Sequence, residues 1–251
     1  MNLCQFVKYA SPIILIQITF LLSYAKNIEA RSIKEFDSGN YEARWFYQGK
    51  IPDDVSEWFN EDPKLGKNMK QEKRSDVYLV AQQAKFLSPK IREGELEIKY
   101  SSSELDFATC NGKISGLAEN WSKEKWELSE YLEGDVRAAF LVTNLKGHRA
   151  EVFKKRSQRI FKILSNGTLK PSEFVRLNQA VLVELTQLKV NGKHWWTMVF
   201  EIRSDSQIPL AQSNNMMCQI FQKYPGPEMI VNNSYAYSKW LSIIFDSGEV
   251  P

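Results

Sequence analysis

Charged side chains that recur at every second position are the feature that most restricts how this chain can fold. In a β-strand, residues two apart point to the same face of the sheet, so these pairs place two polar side chains next to each other. The residues between them are mostly apolar, as Ile91, Ile98 and Ile202 illustrate. The pattern therefore predicts strands with one charged and one apolar face. The paired positions are Glu42 and Arg44, Lys90 and Arg92, Glu97 and Lys99, Lys154 and Arg156, Glu184 and Thr186, and Glu201 and Arg203.

Turn signals divide the chain into short strands of this kind. Glu93-Gly94 within 89–100 predicts one hairpin, and Asn191-Gly192 between 181–190 and 195–203 predicts another. Seven or more short strands separated by regular turns favour an antiparallel barrel or a strongly curved sheet. The other predicted strands are 41–48, 75–80, 114–121, 124–131, 136–144, 149–156 and 158–164.

Helices are predicted outside this run of strands. Residues 53–59 follow Pro52 and carry acidic side chains in their first turn, as helix N-termini prefer. Residues 216–221 and 229–244 have helical character and are separated by a proline-rich break. Hydrophobic residues make up 43% of the chain and no Pro/Gly-rich hinge divides it. The predicted fold class is therefore mainly β (α+β), with a single domain over residues 31–251.

The first 30 residues differ from the rest of the chain. Lys8 precedes an apolar run, 13–22, which is shorter than an ordinary membrane span and suits the core of a secretory signal. We interpret residues 1–30 as a signal peptide or a membrane anchor. The protein is then expected to be exported, and any membrane contact is expected through this segment alone. In an oxidising compartment Cys110 and Cys218 can pair, but their spacing in the sequence does not establish a disulfide.

Charge and motif content exclude several classes of site. The net charge is +3 and no run of Lys or Arg dominates, which argues against nucleic acid as the main partner, because affinity for a phosphate backbone requires many clustered cations. His148 and His194 are the only histidines and lack metal-ligand spacing. The paired charges on the strands therefore remain as the candidate site.

Two architectures explain the paired charges. A sheet that covers a core on one side has a solvated outer face, whereas a barrel packed outside by helices encloses a polar lumen. Lys90 with Arg92, and Lys154 with Arg156, are like-charge pairs, which repel unless carboxylates or an anion lie opposite them. Cations of this kind hold phosphate oxygens, and glutamates on neighbouring strands hold hard divalent cations. A polyanion site and a solvated face both remain open.

The order of these motifs resembles that of the CYTH superfamily, the triphosphate tunnel metalloenzymes, over most of residues 41–240. The resemblance implies an antiparallel eight-stranded tunnel barrel with peripheral and C-terminal helices, which binds a triphosphate together with Mg²⁺ or Mn²⁺. The similar segments are Glu42-Ala43-Arg44, Arg74-Ser75-Asp76-Val77-Tyr78, Lys90-Ile91-Arg92, Glu97-Ile98-Lys99, Lys154-Lys155-Arg156, Glu184, Phe200-Glu201 and Ser234-Tyr235-Ala236-Tyr237.

The resemblance also implies roles for individual residues. Catalytic roles fall on Glu42, Glu184 and Glu201. Metal binding falls on Glu42, Glu97, Glu184 and Glu201. Substrate binding falls on Arg44, Lys90, Arg92, Lys99, Lys154 and Arg156.

The chain departs from the family pattern at two strands. The family's first strand alternates Glu, Glu and Lys, whereas this chain has Glu42, Arg44 and Phe46. Arg203 stands where a second glutamate is expected in the last acidic strand. Each departure places a cation beside a carboxylate that would hold the metal. We therefore predict that anion binding is retained better than metal-assisted catalysis.

Two functions from different classes follow. The leading hypothesis is binding of a triphosphate or another polyanionic small molecule in a charged tunnel, with metal-dependent hydrolysis of phosphoanhydrides as its enzymatic form. The alternative is a non-catalytic exported binding or structural β-barrel whose charged face is solvated. A lipocalin-like carrier is disfavoured, because it needs an apolar lumen. The direction of Lys90, Arg92, Lys154 and Arg156 separates the first two: convergence with glutamates favours the first, and exposure to solvent favours the second.

Overall fold

The computed structural model describes residues 41–81, 87–110, 112–127, 147–175, 177–206 and 208–246. The predicted N-terminal segment, residues 1–30, and the predicted strand at 136–144 lie outside these residues. Within the described ranges, no helix is both long and apolar enough to cross a membrane.

Nine strands and three α-helices make up the described fold. The strands are β1 (Tyr41–Gln48), β2 (Lys70–Ala81), β3 (Leu87–Arg92), β4 (Glu95–Cys110), β5 (Ile114–Glu127), β6 (Gly147–Ile163), β7 (Leu169–Pro171), β8 (Gln179–Val190) and β9 (Lys193–Ser204). The α-helices are α1 (Asp53–Glu61), α2 (Leu210–Phe221) and α3 (Tyr237–Asp246), and short 3₁₀ turns lie at Pro63–Leu65 and Val231–Asn233.

All nine strands belong to one antiparallel sheet with the order β2-β3-β4-β5-β1-β9-β8-β6-β7, and β2 also pairs with β6. The predicted mainly β, antiparallel class is therefore confirmed. The predicted eight-stranded barrel is confirmed only as far as a single antiparallel sheet of nine strands. In the described part of the chain, β2 and β3 share two registered pairs, Val77 with Ile91 and Tyr78 with Lys90.

Both predicted hairpin turns are confirmed. Glu93 and Gly94 have φ of 49° and 78°, and Asn191 and Gly192 have φ of 48° and 74°. A two-residue hairpin turn of type I′ requires positive φ at both central positions, which glycine and asparagine tolerate better than other residues. The turns therefore fix the registers of β3 with β4 and of β8 with β9.

Several predicted element boundaries were wrong. The predicted strands 149–156 and 158–164 form one strand, β6, because no glycine or proline interrupts the alternation between them. The predicted strands 114–121 and 124–131 likewise merge in β5. The helix predicted over 229–244 begins only at Tyr237. Before it, Ser234 forms a bridge with Trp45 and its hydroxyl accepts a hydrogen bond from the Leu117 amide, which holds this segment against the sheet.

The apolar face of the sheet is covered by α1 and α2. Odd-numbered residues of β1, β6 and β8 and even-numbered residues of β9 point to this face, in keeping with the two-residue period of a strand. Trp58 of α1 and Phe221 of α2 pack together at 5.9 Å between ring centroids. The principal buried members of this core are Trp45, Phe59, Phe161, Val181, Val183, Leu185, Trp196, Met198, Phe200, Ile202, Met216 and Met217.

The opposite face of the sheet has two halves. Helix α3 packs on an apolar half, whose buried members include Phe46, Tyr78, Val80, Ala150, Val152, Leu188, Val190, Trp240 and Leu241. Further along the same face, the same strands carry charged side chains. We call this part the charged face. Its charged residues lie an even number of positions from the buried apolar residues of the same strand, so they point to the same side of the sheet; they include Arg44, Asp76, Lys154 and Glu184.

The sheet curves strongly around the first residue of α3. Strands β1 and β2 are four steps apart in the order β1-β9-β8-β6-β2, which corresponds to about 19 Å in a flat sheet. Phe46 of β1 and Tyr78 of β2 nevertheless both contact the ring of Tyr237, at 5.3 and 5.4 Å between centroids. The expected strong curvature is therefore present, and it directs the charged side chains of distant strands toward one another.

A disulfide joins the sheet to the helical layer. Cys110 is the last residue of β4 and Cys218 lies in α2, with 5.3 Å between their Cα atoms and a sequence separation of 108. The sequence left this pairing open, and the structure forms it.

Candidate functional site

The charged face carries a continuous cluster of ion pairs, which we call the charged cluster. Its members come from six strands and form one chain of contacts at 4.0 Å or less between nitrogen and oxygen. Among the described residues, seven basic side chains face five carboxylates, a formal excess of two positive charges when all are ionised. The members are Glu42, Arg44, Glu72, Arg74, Asp76, Lys90, Arg92, Glu97, Lys99, Lys154, Arg156 and Glu184.

Asp76 is the most heavily contacted carboxylate of the cluster and is fully buried. Arg92 donates two hydrogen bonds to it, from Nε to Oδ1 at 2.8 Å and from Nη2 to Oδ2 at 3.0 Å. Lys154 Nζ lies 2.7 Å from Oδ2, and Arg74 Nε lies 3.4 Å from Oδ1. Although burial raises the pKa of Asp76, these cations, Lys154 first, hold it far below its ordinary value. Asp76 is therefore ionised at any physiological pH.

Lys90 and Glu97 form a buried pair across the β3–β4 hairpin. They are directly opposite in register, and Lys90 Nζ lies 2.6 Å from Glu97 Oε1. Burial raises the pKa of Glu97, but Lys90 and Arg92 lower it to about 2. Burial also lowers the pKa of Lys90 to about 7, since Glu97 offsets only part of the desolvation. The carboxylate is therefore the firmly charged partner of this pair.

Glu184 anchors the other side of the cluster. Arg156 donates to its Oε2 from Nε at 2.9 Å and from Nη2 at 2.5 Å, and Gln158 donates to the same oxygen at 3.1 Å. Thr186 donates to Oε1 at 2.8 Å. Burial raises the pKa of Glu184, but Arg156 and Arg44 bring it well below the ordinary value. A carboxylate with this many donors stays ionised and fixed in place.

Glu42 and Lys99 mark the more accessible edge of the cluster. Arg44 Nε donates to Glu42 Oε1 at 2.9 Å, and Lys99 Nζ lies 3.6 Å from Glu42 Oε2. The Lys99 side chain is 32% exposed, and that of Glu72 is 26% exposed. Solvent therefore reaches the cluster from the side of these residues, while α3 covers the apolar half.

Two tyrosine rings line the inner boundary of the cluster. Tyr78 and Tyr237 stack at 5.4 Å between centroids. Lys154 Nζ lies 3.9 Å from the Tyr237 ring centre and 2.6 Å from the Tyr78 hydroxyl oxygen. The Arg44 guanidinium also lies over the Tyr237 ring, with its Cζ atom 4.7 Å from the ring centre. These cation–π contacts stabilise two buried cations on the side of the cluster that meets α3.

Most of the sequence-predicted site residues meet in this cluster. The structure brings together Glu42, Arg44, Lys90, Arg92, Glu97, Lys99, Lys154, Arg156 and Glu184. Glu201 is the exception: its described ion pair is with Arg203 on the same strand, at 2.8 Å. It nevertheless lies directly opposite Glu42 in the register of β1 with β9.

The central charges are buried rather than solvated. Asp76, Glu97, Glu184, Lys90 and Lys154 are all at most 5% exposed. The interpretation of these strands as a solvated face therefore does not describe their central positions.

Sequence reasoning assigned no role to Glu72, Arg74, Asp76 and the tyrosines of the cluster. Strand β2 begins at Lys70, five residues before its predicted start. The alternation of Glu72, Arg74 and Asp76 was the signal that identifies this longer strand. The role of Tyr237 has no comparable signal, because it depends on where α3 packs.

The predicted metal ligands do not form a metal-binding group. In the described part of the chain, no three Asp, Glu, His or Cys side chains are arranged to hold a metal ion. Each predicted ligand is engaged by a cation instead: Glu42 by Arg44, Glu97 by Lys90, Glu184 by Arg156, and Glu201 by Arg203. The donor set therefore does not fit Mg²⁺ or Mn²⁺ as it stands.

Comparison with known proteins adds no assignment. No protein-family model matches the sequence, and no curated protein matches it.

Proposed function

We propose that the protein binds a triphosphate or another phosphate-bearing small anion at the charged cluster. The observation that carries this proposal is the formal imbalance of seven basic side chains against five carboxylates among the described residues of a largely buried network. Net charge is costly to bury. An anion with two or more negative charges neutralises the excess and satisfies cationic donors at the same time.

Donors suited to such an anion lie toward the accessible edge. The side chains of Lys99, Arg92 and Arg156 are 32%, 16% and 13% exposed. Arg74 Nε is buried and lies 3.4 Å from Asp76 Oδ1, but among the described residues it makes no hydrogen bond. Buried polar groups rarely stay unpaired, so this donor supports a ligand on the same side of the cluster.

A tunnel-type barrel around the charged face belongs to the same proposal. The pairing of β2 with β6 over its whole length, in addition to β3, supports it. The apolar run at 13–22 and the disulfide between Cys110 and Cys218 support export to an oxidising compartment, where disulfides persist.

Calorimetric titration with inorganic triphosphate tests the binding proposal. The full chain is titrated in EDTA and then with Mg²⁺ or Mn²⁺, and released phosphate is assayed in parallel. We expect binding in EDTA and a loss of about tenfold in affinity in Lys99→Gln and Arg156→Gln, since each removes a charged donor. Lys155→Gln is the matched control, because this exposed neighbour of Arg156 points to the other face of β6 and carries the same charge.

Thermal unfolding of each variant establishes that it is folded, and Lys99→Gln is the less disruptive of the two because Lys99 is the more exposed. Failure of triphosphate and orthophosphate to bind the wild-type chain would overturn the proposal, and so would equal affinity in all three variants. Metal-dependent phosphate release would replace binding by hydrolysis as the function.

A further inference from the structure

Arg44 connects two carboxylates of the charged cluster that come from different strands. From β1, its Nε and Nη2 atoms lie 2.9 and 2.8 Å from Glu42 Oε1. Its Nη1 atom donates to Glu184 Oε1 of β8 at 3.4 Å and to Thr197 Oγ1 of β9 at 3.3 Å. A single cation is thus shared by two carboxylates and a hydroxyl, all on the charged face.

The electrostatics of the three groups agree with this geometry. Burial raises the pKa of Glu42, but Arg44 and Lys99 lower it to about 2. Burial lowers the pKa of Arg44, but Glu42, Tyr237 and Glu184 together raise it above its ordinary value. An arginine guanidinium keeps its charge in proteins, so the attraction between Arg44 and the two carboxylates persists.

The surrounding oxygen atoms are of the kind that hard metal ions prefer. Carboxylate and hydroxyl oxygens bind Mg²⁺, Mn²⁺ and Ca²⁺. Glu201 lies opposite Glu42 in register, but its carboxylate is paired with Arg203 and is not counted in this place. Arg44 is the positively charged group that lies among them.

We infer that Arg44 is a built-in cation that takes the place of a divalent metal ion between Glu42 and Glu184, and that it keeps divalent metals out of the charged cluster. A guanidinium has a fixed planar set of donors and is covalently attached, so it competes with a dissolved ion at every concentration. The cluster then holds its carboxylates in position without a metal.

Removal of the guanidinium should convert this place into a metal site. In Arg44→Gln, the carboxylates of Glu42 and Glu184 lose their shared cation, and a shorter, neutral, polar side chain remains. We expect Mn²⁺ to bind this variant at least about tenfold more tightly than it binds the wild type, because a unit charge within a few ångströms is removed. Binding of Mn²⁺ alone is measured by calorimetry or by the loss of the free-ion magnetic resonance signal.

Arg203→Gln provides the matched control. Arg203 pairs with Glu201 two residues away on β9, as Arg44 pairs with Glu42, but its side chain is 49% exposed. The same change of charge there should leave Mn²⁺ affinity within about twofold of wild type, as expected for an exposed pair. The double variant Arg44→Gln/Glu184→Gln should lose the gained affinity, because one of the two carboxylates is gone.

Two outcomes would overturn the inference. One is an Arg44→Gln chain that is folded, by thermal unfolding, and binds Mn²⁺ no more tightly than wild type. The other is a Mn²⁺ site in the wild-type chain that Glu184→Gln removes, a measurement that does not depend on the folding of the arginine variant. No anion is present in these titrations, so their result is independent of the proposed anion binding.

Discussion

Asp76 illustrates what a single residue requires in this interior. An ionised carboxylate without solvent is stable only where donors replace its hydration, and Arg92 and Lys154 supply them at 2.8 and 2.7 Å. Such pairs add little net stability compared with well-packed apolar residues, but loss of one partner is costly because the other charge stays buried. Single substitutions in the charged cluster should therefore be far more damaging than coordinated ones.

The buried Glu97 carboxylate makes the free energy of unfolding depend on pH. Its pKa is about 2 in the folded protein and 4.5 in its ordinary state, so folding is favoured by its ionisation above pH 4.5. As pH falls from about 4.5 toward 2, the unfolded chain takes up the proton first and this stabilisation is lost. We expect the free energy of unfolding to fall over this range, and Glu97→Gln to reduce that fall and cost about 3 kcal/mol at pH 7.

Urea unfolding at pH 7, 4.5 and 3 measures both effects. Glu173→Gln is the control, because this glutamate is exposed in the segment between β7 and β8. An identical pH dependence in wild type and Glu97→Gln would contradict the assignment of the buried pair.

At the scale of elements, α3 covers the apolar half next to the charged face and contacts two of the cluster's cations. The helix buries one stripe against the apolar half of that face, and its first residue, Tyr237, contacts both Lys154 and Arg44. The helix therefore positions two cations of the cluster as well as packing the core.

Substitution of Trp240 measures how much the packing of α3 contributes to stability. Its side chain is 1% exposed, stacks on Phe46 at 4.6 Å and meets Trp195 edge-on at 5.7 Å. Trp240→Ala should cost about 3–5 kcal/mol, because a large buried ring is removed and leaves a cavity. Ile243→Ala, on the exposed side of the same helix, should change stability by no more than about 0.5 kcal/mol. Equal losses in the two variants, measured by denaturant unfolding, would mean that α3 is not docked through Trp240.

At the scale of the whole molecule, one covalent link ties the sheet to the helices of the apolar face. The disulfide between Cys110 and Cys218 closes a loop of 108 residues. Its removal should cost about 2–5 kcal/mol, chiefly because the unfolded chain gains freedom.

Thermal unfolding with and without a reductant measures this loss. The reductant should lower the midpoint of the wild-type chain and leave Cys110→Ser/Cys218→Ser unaffected. Thiol titration of the unfolded full chain should find one reactive cysteine before reduction and three after it, since Cys4 is the remaining one. Three reactive thiols before reduction would show that the pair is absent.

The parts of this organisation that depend on local sequence were predictable, and the parts that depend on long-range packing were not. The two-residue alternation identified the charged face, and Asn191-Gly192 identified its hairpin, because both effects act between near neighbours. The contact of Arg44 with Glu184 spans 140 residues and follows from the order and register of β1, β9 and β8, which place both residues beside Val199. Of the pairs that engage the predicted metal ligands, only Glu42–Arg44 and Glu201–Arg203 were visible in the sequence, because Glu97–Lys90 and Glu184–Arg156 depend on which strands pair and in which register.

The alternation of apolar and polar side chains on β8 also affects folding itself, because it determines the register in which β8 pairs with its neighbours. Val183 and Leu185 pack in the apolar core, and Glu184 between them meets Arg156 on the opposite face. A misalignment of β8 by one residue would insert Glu184 into that core and leave Arg156 without its carboxylate partner. Because an unpaired buried charge costs several kcal/mol, such misaligned species are strongly penalised. The ion pairs thereby add to the hydrophobic pattern a second penalty against wrong strand alignments during folding.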